Sequence, residues 1–126
     1  MPVMSLFLSF VLLITSLLIG CTTQQVSYQE NVEPILQSEC IKCHVSPDGA
    51  GYKATGLVID SYESLMHGAF YGPVIVEGDS RRSILNMLVE GRAGNCQRMS
   101  QNEKRGLSNE QIETLKNWVN QGAISN

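Results

Sequence analysis

The sequence predicts a small, mostly α-helical domain, and three observations support that prediction. The chain has 126 residues, enough for one domain with a modest core. Apolar residues recur at spacings of three and four in several segments, as on one face of a helix, and no long alternating strand pattern is present. A hydrophobic content of 43% and a formal net charge of -3 argue against wholesale disorder and against a broad basic surface for nucleic acid.

The first segment is an apolar run, residues 6 to 19, that precedes every charged side chain. The run is shorter than the roughly 20 residues of a membrane-spanning helix. The following LIGC, Leu18 to Cys21, resembles the bacterial lipobox, in which the signal peptide is cut before a cysteine that carries lipid. We therefore expect residues 1–20 to be a signal peptide and Cys21 to be lipidated. An uncleaved anchor and an ordinary secretory signal are the alternatives, and every version places the domain outside the cytoplasm.

A lipidated tether is expected over residues 21–29, because the stretch TTQQVS is polar, uncharged and without periodicity. The domain then occupies residues 30–126. Its first helix is predicted to begin at a cap on Asn31. The last turn of that helix should place Cys40 and Cys43 on one face, since side chains three apart are neighbours on a helix.

The middle of the chain is predicted to hold a glycine-rich passage and two helices. Ser46 to Gly56 is glycine-rich, and Ser61 to His67 is a short helix candidate. Ser80 to Glu90 reads as an amphipathic helix. Its apolar side carries Ile84, Leu85, Leu88 and Val89, and its other sides carry Arg81, Arg82, Asn86 and Glu90. We expect the apolar side of this helix to face the core.

The final helix has the clearest boundaries in the sequence. Ser108 and Gln111 form a capping box before an apolar stripe, and Gly122 ends the helix. Between it and the preceding helix, Gly91 to Gly106 is a loop in which Met99 is nearly the only apolar side chain. Loops of that length without a core of their own are usually functional or disordered.

Cys40, Cys43 and His44 form a Cys-x-x-Cys-His motif, which is the attachment pattern of c-type haem. Each cysteine adds across a vinyl group of the macrocycle, so the two sulfur atoms must project from one face of a helical turn. His44, four residues after Cys40, then reaches the iron from the same side as its proximal ligand. The motif predicts one covalently bound haem c.

A zinc site, a thioredoxin-like redox pair and a plain disulfide are the alternatives for these cysteines. Structural zinc needs four ligands, and only the isolated Cys96 and His67 remain to complete a set. A thioredoxin-like pair accompanies a strand-helix-strand unit, which the sequence does not predict. Haem is favoured because an exported chain with a small core gains most from a large flat cofactor that completes that core.

Four side chains are candidates for the sixth iron position: Met66, His67, Met87 and Met99. Met87 lies within a helical pattern, where methionine usually fills the core. Met66 and His67 are adjacent, so at most one of them points inward. Met99 is favoured because its loop has little other reason for an apolar side chain, with His67 or an open, water-bound site as the alternative.

In this order, these motifs resemble the planctomycete-type branch of class I cytochrome c domains over about Glu30 to Ala123. The segments that carry the resemblance are CIKCH, GLVIDSYESLMHG, GPVIVEGDSRRSIL, Met99 and LSNEQIETLKNWVNQGA. The resemblance implies a small helical domain wrapped around one haem, with crossing terminal helices and with His44 and Met99 on the iron. That family usually has proline after the methionine, where this chain has Ser100, and Val-Pro-Gly where it has Val76 to Gly78.

Two further features of the Met99 loop leave alternatives open. Cys96 has no expected intramolecular partner, and it is either an inert thiol, an intermolecular disulfide or redox-sensitive thiol, or a thiolate replacing Met99. The second feature is a set of basic side chains that are either solvated, paired with haem propionates or part of a docking face for an acidic partner: Arg92, Arg98, Lys104 and Arg105.

The expected function is electron transfer by a lipid-anchored monohaem cytochrome on the periplasmic side of a bacterial membrane. Its partner would be a periplasmic redox protein. No Ser/His/Asp set, carboxylate pair or phosphate-cradling loop is visible, so an enzyme is not expected. The alternatives are a haem-based gas or ligand sensor, and a fixed small haem subunit of a larger oxidoreductase.

Overall fold

Helices account for the regular structure of the residues that the computed structural model describes, 23–93 and 106–126. A π-helical turn, Tyr28–Val32, leads into α1 (Glu33–Glu39), followed by α2 (Ala50–Thr55), α3 (Tyr62–His67), α4 (Ile84–Val89) and α5 (Asn109–Asn120). No strand is present in these two ranges, and one isolated bridge pairs Ala69 with Gly72. The prediction of a mostly helical domain is confirmed for this part of the chain. None of its helices is long and apolar enough to cross a membrane.

The first helical segment begins earlier than the sequence predicts. The hydroxyl of Ser27 accepts a hydrogen bond from the Glu30 amide at 3.2 Å, and the Asn31 side chain accepts one from the Ser27 amide at 2.9 Å. The prediction of a cap at Asn31 is therefore wrong. Ser27 caps the helix because its extended backbone leaves its hydroxyl free to bind an amide of the first turn.

Helix α2 lies within the glycine-rich passage, where the sequence predicts no helix. The Thr55 hydroxyl donates to the Gly51 carbonyl at 2.7 Å and accepts from the Leu57 amide at 3.2 Å, which secures the last turn. Gly56, with a φ of 75°, ends the helix in a left-handed conformation that glycine adopts at little cost. This helix has no sequence prediction because local side-chain bonds, and not an apolar stripe, define it.

Helices α3 and α5 agree with their predictions. Ser61 caps α3 by accepting from the Ser64 amide at 3.1 Å. At the start of α5, the Ser108 hydroxyl accepts from the Gln111 amide at 3.1 Å, and the Gln111 side chain accepts from the Ser108 amide at 2.8 Å. The capping box is therefore confirmed, and Gly122 follows the helix with a φ of 104°.

Helix α4 is shorter than predicted, and two of its side chains depart from the predicted faces. It begins after Ser83 and spans Ile84–Val89. Leu85 is buried and Val89 packs against the core, as expected of the apolar side. Asn86, expected on a polar side, is fully buried, whereas Ile84, expected on the apolar side, is 50% exposed. These two differ because the helix is covered on one side by α5 and borders an open cavity on another.

The core joins the beginning and the end of the described chain. The rings of Tyr28 and Tyr62 meet edge to face with centroids 5.1 Å apart, and Tyr28 and Trp118 lie 5.6 Å apart. The Tyr62 hydroxyl donates to the Ala123 carbonyl at 2.9 Å. Fully buried aliphatic side chains surround this aromatic cluster: Val32, Leu36, Ile59, Leu65, Leu85, Leu115 and Val119.

Hydrogen bonds also fasten the residues before the first helix to those after the last. The Val26 amide donates to the Gln121 side chain at 2.7 Å, and that side chain donates to the Gln24 carbonyl at 3.2 Å. The Tyr28 amide donates to the Asn126 side chain at 2.8 Å. The residues just before the π-helical turn are thus held against the end of the chain.

Candidate functional site

The Cys-x-x-Cys-His segment forms a turn that follows α1. The Cys40 amide donates to the Leu36 carbonyl at 3.0 Å, and the His44 amide donates to the Cys40 carbonyl at 3.1 Å. Although α1 ends at Glu39, the backbone therefore keeps a helix-like bond across the motif. This turn places Cys40, Cys43 and His44 within one loop of backbone.

The two cysteines differ in exposure. Cys40 is 6% exposed and belongs to the hydrophobic core, whereas Cys43 is exposed. Burial raises the pKa of the Cys40 thiol to about 11, with smaller contributions from the charges of Glu39 and Cys43. Both cysteines lie beyond the last turn of α1, which ends at Glu39 and was predicted to carry them, and one thiol faces the core while the other faces solvent.

His44 is buried, and its ring is held by one backbone group. Its Nδ1 lies 3.3 Å from the Leu57 carbonyl oxygen, which can only accept, so Nδ1 carries the proton of this hydrogen bond. Burial lowers the pKa of the imidazole, and the bond to Leu57 acts in the opposite direction more weakly. The neutral ring then carries its lone pair on Nε2, the arrangement that suits a metal ligand.

Gly51 lies against the His44 ring. A Cβ atom at this position would come within 2.7 Å of both Cε1 and Nε2 of the imidazole. That distance is shorter than real Cβ contacts, so any larger residue would have to displace a ring that is itself buried. The absence of a side chain at Gly51 therefore allows α2 to approach the histidine closely.

A cavity of about 210 Å³ opens beside His44. Its wall is mostly aliphatic and includes Ala54, Leu57, Ala69, Val74, Ile84, Leu85 and Leu88. Tyr71, which is 97% exposed, also lines it. The cavity therefore presents one buried imidazole in a mostly apolar wall.

The structure brings only part of the predicted site together. His44 lines the cavity, whereas neither Cys40 nor Cys43 is part of its wall. His67 is exposed and lines a separate surface depression beside Glu63. The alternative distal ligand therefore does not face the cavity in this structure.

Of the remaining methionine and cysteine candidates, some lie in the described part of the chain and others do not. Met66 is half buried and packs against the core, as expected for one of an adjacent pair. Met99, Cys96 and Cys21 lie outside the described residues, so their predicted roles stay predictions.

Arg92 bonds the Ser80 and Arg81 carbonyls, each at 3.3 Å, and pairs with the Glu90 carboxylate.

Within residues 23–93 and 106–126, no group of three or more His, Cys, Asp or Glu side chains is placed to hold a metal ion.

Sequence reasoning missed two groups that shape the site. The carbonyl of Leu57 orients His44, and no side-chain pattern reports a backbone oxygen. Gly51 packs against the ring, and its only signal in the sequence was its place in a glycine-rich passage. The half-exposed Ile84 at the cavity wall was visible as an apolar residue, but its helical pattern placed it in the core.

Comparison with known proteins gives no matching family model, no matching curated protein and no matching solved structure. The resemblance to class I cytochrome c domains therefore rests on the motifs of the chain itself.

Proposed function

We propose that this protein is a lipid-anchored monohaem c-type cytochrome that passes single electrons between redox partners on the periplasmic side of a bacterial membrane. The observation that carries the proposal is the buried His44, whose Nδ1 is bonded to the Leu57 carbonyl and whose ring lines an apolar cavity. Cys40 and Cys43 precede that histidine at the spacing of haem attachment.

The residues present fit a haem by their chemistry. The cavity wall is mostly aliphatic, as the faces of a porphyrin require, and His44 supplies a neutral nitrogen donor. Both thiols are free in the structure, and they would hold the macrocycle through two thioether links once the turn after α1 directs them to the cavity, whose wall they do not line here. Bound there, haem supplies one-electron chemistry at its iron.

The protein's own contribution is to orient and protect the ligand. The Leu57 carbonyl holds the Nδ1 proton of His44 and so fixes which nitrogen is available, the role that outer groups play around metal-bound histidines. Leu57, Leu85 and Val74 are buried and keep the inner part of the cavity apolar. A rigid apolar setting limits rearrangement when the charge of a bound redox group changes.

The first experiment asks whether the mature protein carries haem. We expect the exported protein, made alongside a working maturation apparatus, to show Soret absorption that survives denaturation, together with the mass of one haem. A Cys40→Ala/Cys43→Ala variant should lack the covalent haem and fold poorly, because the cofactor completes the core. A colourless parent protein under these conditions would rule the proposal out.

The distal ligand is proposed to be Met99. We expect Met99→Ala to abolish the weak near-infrared band of methionine-ligated ferric haem while the haem stays attached. Met87→Ala is the matched control, because Met87 belongs to α4 and should leave the band in place. Persistence of the band in Met99→Ala, with its loss in His67→Ala, would transfer the assignment to His67.

A haem-based ligand sensor is the second candidate, favoured by Ser100 where the resembling family has proline after the methionine. Carbon monoxide separates the two functions. An electron carrier with both axial positions filled should resist CO in the native ferrous state, whereas a sensor should bind it rapidly. Co-purification with a larger oxidoreductase would instead support a fixed haem subunit.

A further inference from the structure

The two ends of the described chain carry no charged side chain of their own. All 12 acidic and nine basic side chains of the protein lie between Glu30 and Lys116. Residues 23–29 and 117–126 therefore contribute no charged side chain. We call these two segments together the terminal face.

Hydrogen bonds make the terminal face one unit. Gln24 and Val26 both bond the Gln121 side chain. Around Asn126, the Ser27 hydroxyl and the Gln29 amide donate to its backbone oxygen at 3.0 and 3.2 Å. Segments separated by most of the sequence are thus joined by several bonds, and Ile124 is an exposed apolar side chain among them, 40% accessible.

The chain between the lipid and this face is short. Only two residues, Thr22 and Thr23, lie between Cys21 and Gln24, the first residue bonded to Gln121, so the link is three Cα-to-Cα steps long. An extended chain reaches at most about 3.6 Å per residue, so this link spans about 11 Å at full stretch. A domain of this size has a radius of gyration of roughly 13 Å, so the link is too short for the domain to turn its terminal face away from the lipid.

We propose that the terminal face lies on the lipid bilayer and that this contact fixes the orientation of the domain. The inference rests on the lipidation of Cys21 in the proposed function. The residues of the terminal face contribute no carboxylate side chain of their own to the contact with the headgroups. A domain held in this way serves a redox partner whose own centre lies at the membrane surface, rather than one reached by swinging far from it.

The test uses the lipidated holoprotein in vesicles of phosphatidylethanolamine and phosphatidylglycerol. A spin label on an unnatural amino acid replaces either Ser125, which is exposed on the terminal face, or Ser46, which is exposed outside it. We expect the label at Ser125 to be several-fold less accessible to a water-soluble relaxation agent, and more accessible to oxygen, than the label at Ser46.

The matched control lengthens the link without touching the face. Fifteen Gly and Ser residues inserted between Thr22 and Thr23 leave the bonds of Gln24 and Val26 to Gln121 in place. In that variant the label at Ser125 should return to the accessibility it has in protein that lacks residues 1–21. Equal accessibility at Ser125 and Ser46 in the short-linked protein would overturn the inference.

Mass spectrometry of each sample separates this failure from failure of the proposed function. An acylated, haem-containing protein without protection at Ser125 contradicts only the membrane-facing orientation. A protein without acyl chains at Cys21 contradicts both the anchor and the orientation that depends on it.

Discussion

His44 is the residue on which the proposed chemistry of the site depends. It is 5% exposed, and burial in an apolar setting favours its neutral form. Because the Leu57 carbonyl accepts from Nδ1, the lone pair on Nε2 is the available ligand. The motif identified the histidine, but its tautomer follows from a carbonyl thirteen residues further along the chain.

The contact between Gly51 and this ring leads to a prediction with a definite sign. In an ordinary helix, replacing glycine with alanine stabilises by up to about 1 kcal/mol. At this position the new Cβ would come within 2.7 Å of the imidazole, so we expect Gly51→Ala to lower the free energy of unfolding by about 1–3 kcal/mol. Urea unfolding of the holoprotein measures the change.

Lys53→Ala serves as the control in the same helix. Lys53 is exposed, and its ion pair with Asp48, at 3.4 Å, is exposed as well. We expect its removal to change stability by less than about 0.5 kcal/mol. If Gly51→Ala were more stable than the parent protein, α2 would not press against His44 as described.

At the scale of the element, agreement between the predicted and the observed helices depends on which groups define the boundaries of each helix. α5 is defined by groups within its own first turn, Ser108 and Gln111, so a local pattern was sufficient. α2 and α4 depend on their surroundings. Asn86 is buried in α4 although no periodicity indicated it, because helix packing and the adjoining cavity decide which sides of α4 are covered.

The capping box of α5 provides the prediction at this scale. Ser108→Ala removes the hydroxyl that accepts from the Gln111 amide at 3.1 Å. We expect the free energy of unfolding to fall by about 1 kcal/mol, the usual effect of losing such a cap. Helicity measured by circular dichroism during urea unfolding follows the loss.

Ser125→Ala is a suitable control, because Ser125 is exposed and lies beyond the end of α5. A Ser108→Ala protein as stable as Ser125→Ala would mean that the box does not contribute to the folded state. A Ser108→Ala/Gln111→Ala double variant, compared with the two single variants, measures the coupling within the box.

At the scale of the whole molecule, the aromatic cluster joins the π-helical turn, α3 and α5. Tyr28, Tyr62 and Trp118 contact one another, and Tyr28 is 5% exposed. Burial raises the pKa of Tyr28 to about 12, and the charges of Glu33 and Glu63 add to the shift. The folded state therefore keeps Tyr28 protonated over a range in which the unfolded chain has lost that proton.

This difference predicts how stability depends on alkaline pH. The contribution of Tyr28 is fully present below pH 10.0, its ordinary pKa, and is lost as pH rises toward about 12. We expect Tyr28→Phe to lose less stability than the parent over this window. The urea concentrations at the midpoint of unfolding, compared at several alkaline pH values with the value at neutral pH, measure this loss of stability.

Tyr71→Phe is the control, because Tyr71 is 97% exposed and lies outside the aromatic cluster. It should follow the parent protein across the same range. If Tyr28→Phe and the parent lose stability equally, the ionisation of Tyr28 is not coupled to folding.

The sequence by itself determined the helical class, the helices α3 and α5, and the motif at Cys40, Cys43 and His44. These features depend on neighbours within one or two helical turns, where spacing and capping act directly. Haem attachment, the anchor at Cys21 and the role of Met99 are predictions of the same kind, and they await the experiments described above.

Only the tertiary structure decided what surrounds the motif. The Leu57 carbonyl on His44, the close approach of Gly51, the burial of Asn86 and the joining of Val26 to Gln121 all connect groups whose relation depends on how the chain folds back. A pattern of side chains along a sequence does not show which backbone oxygens will accept a hydrogen bond or how closely two elements will pack. Those relations exist only after packing has brought distant segments together.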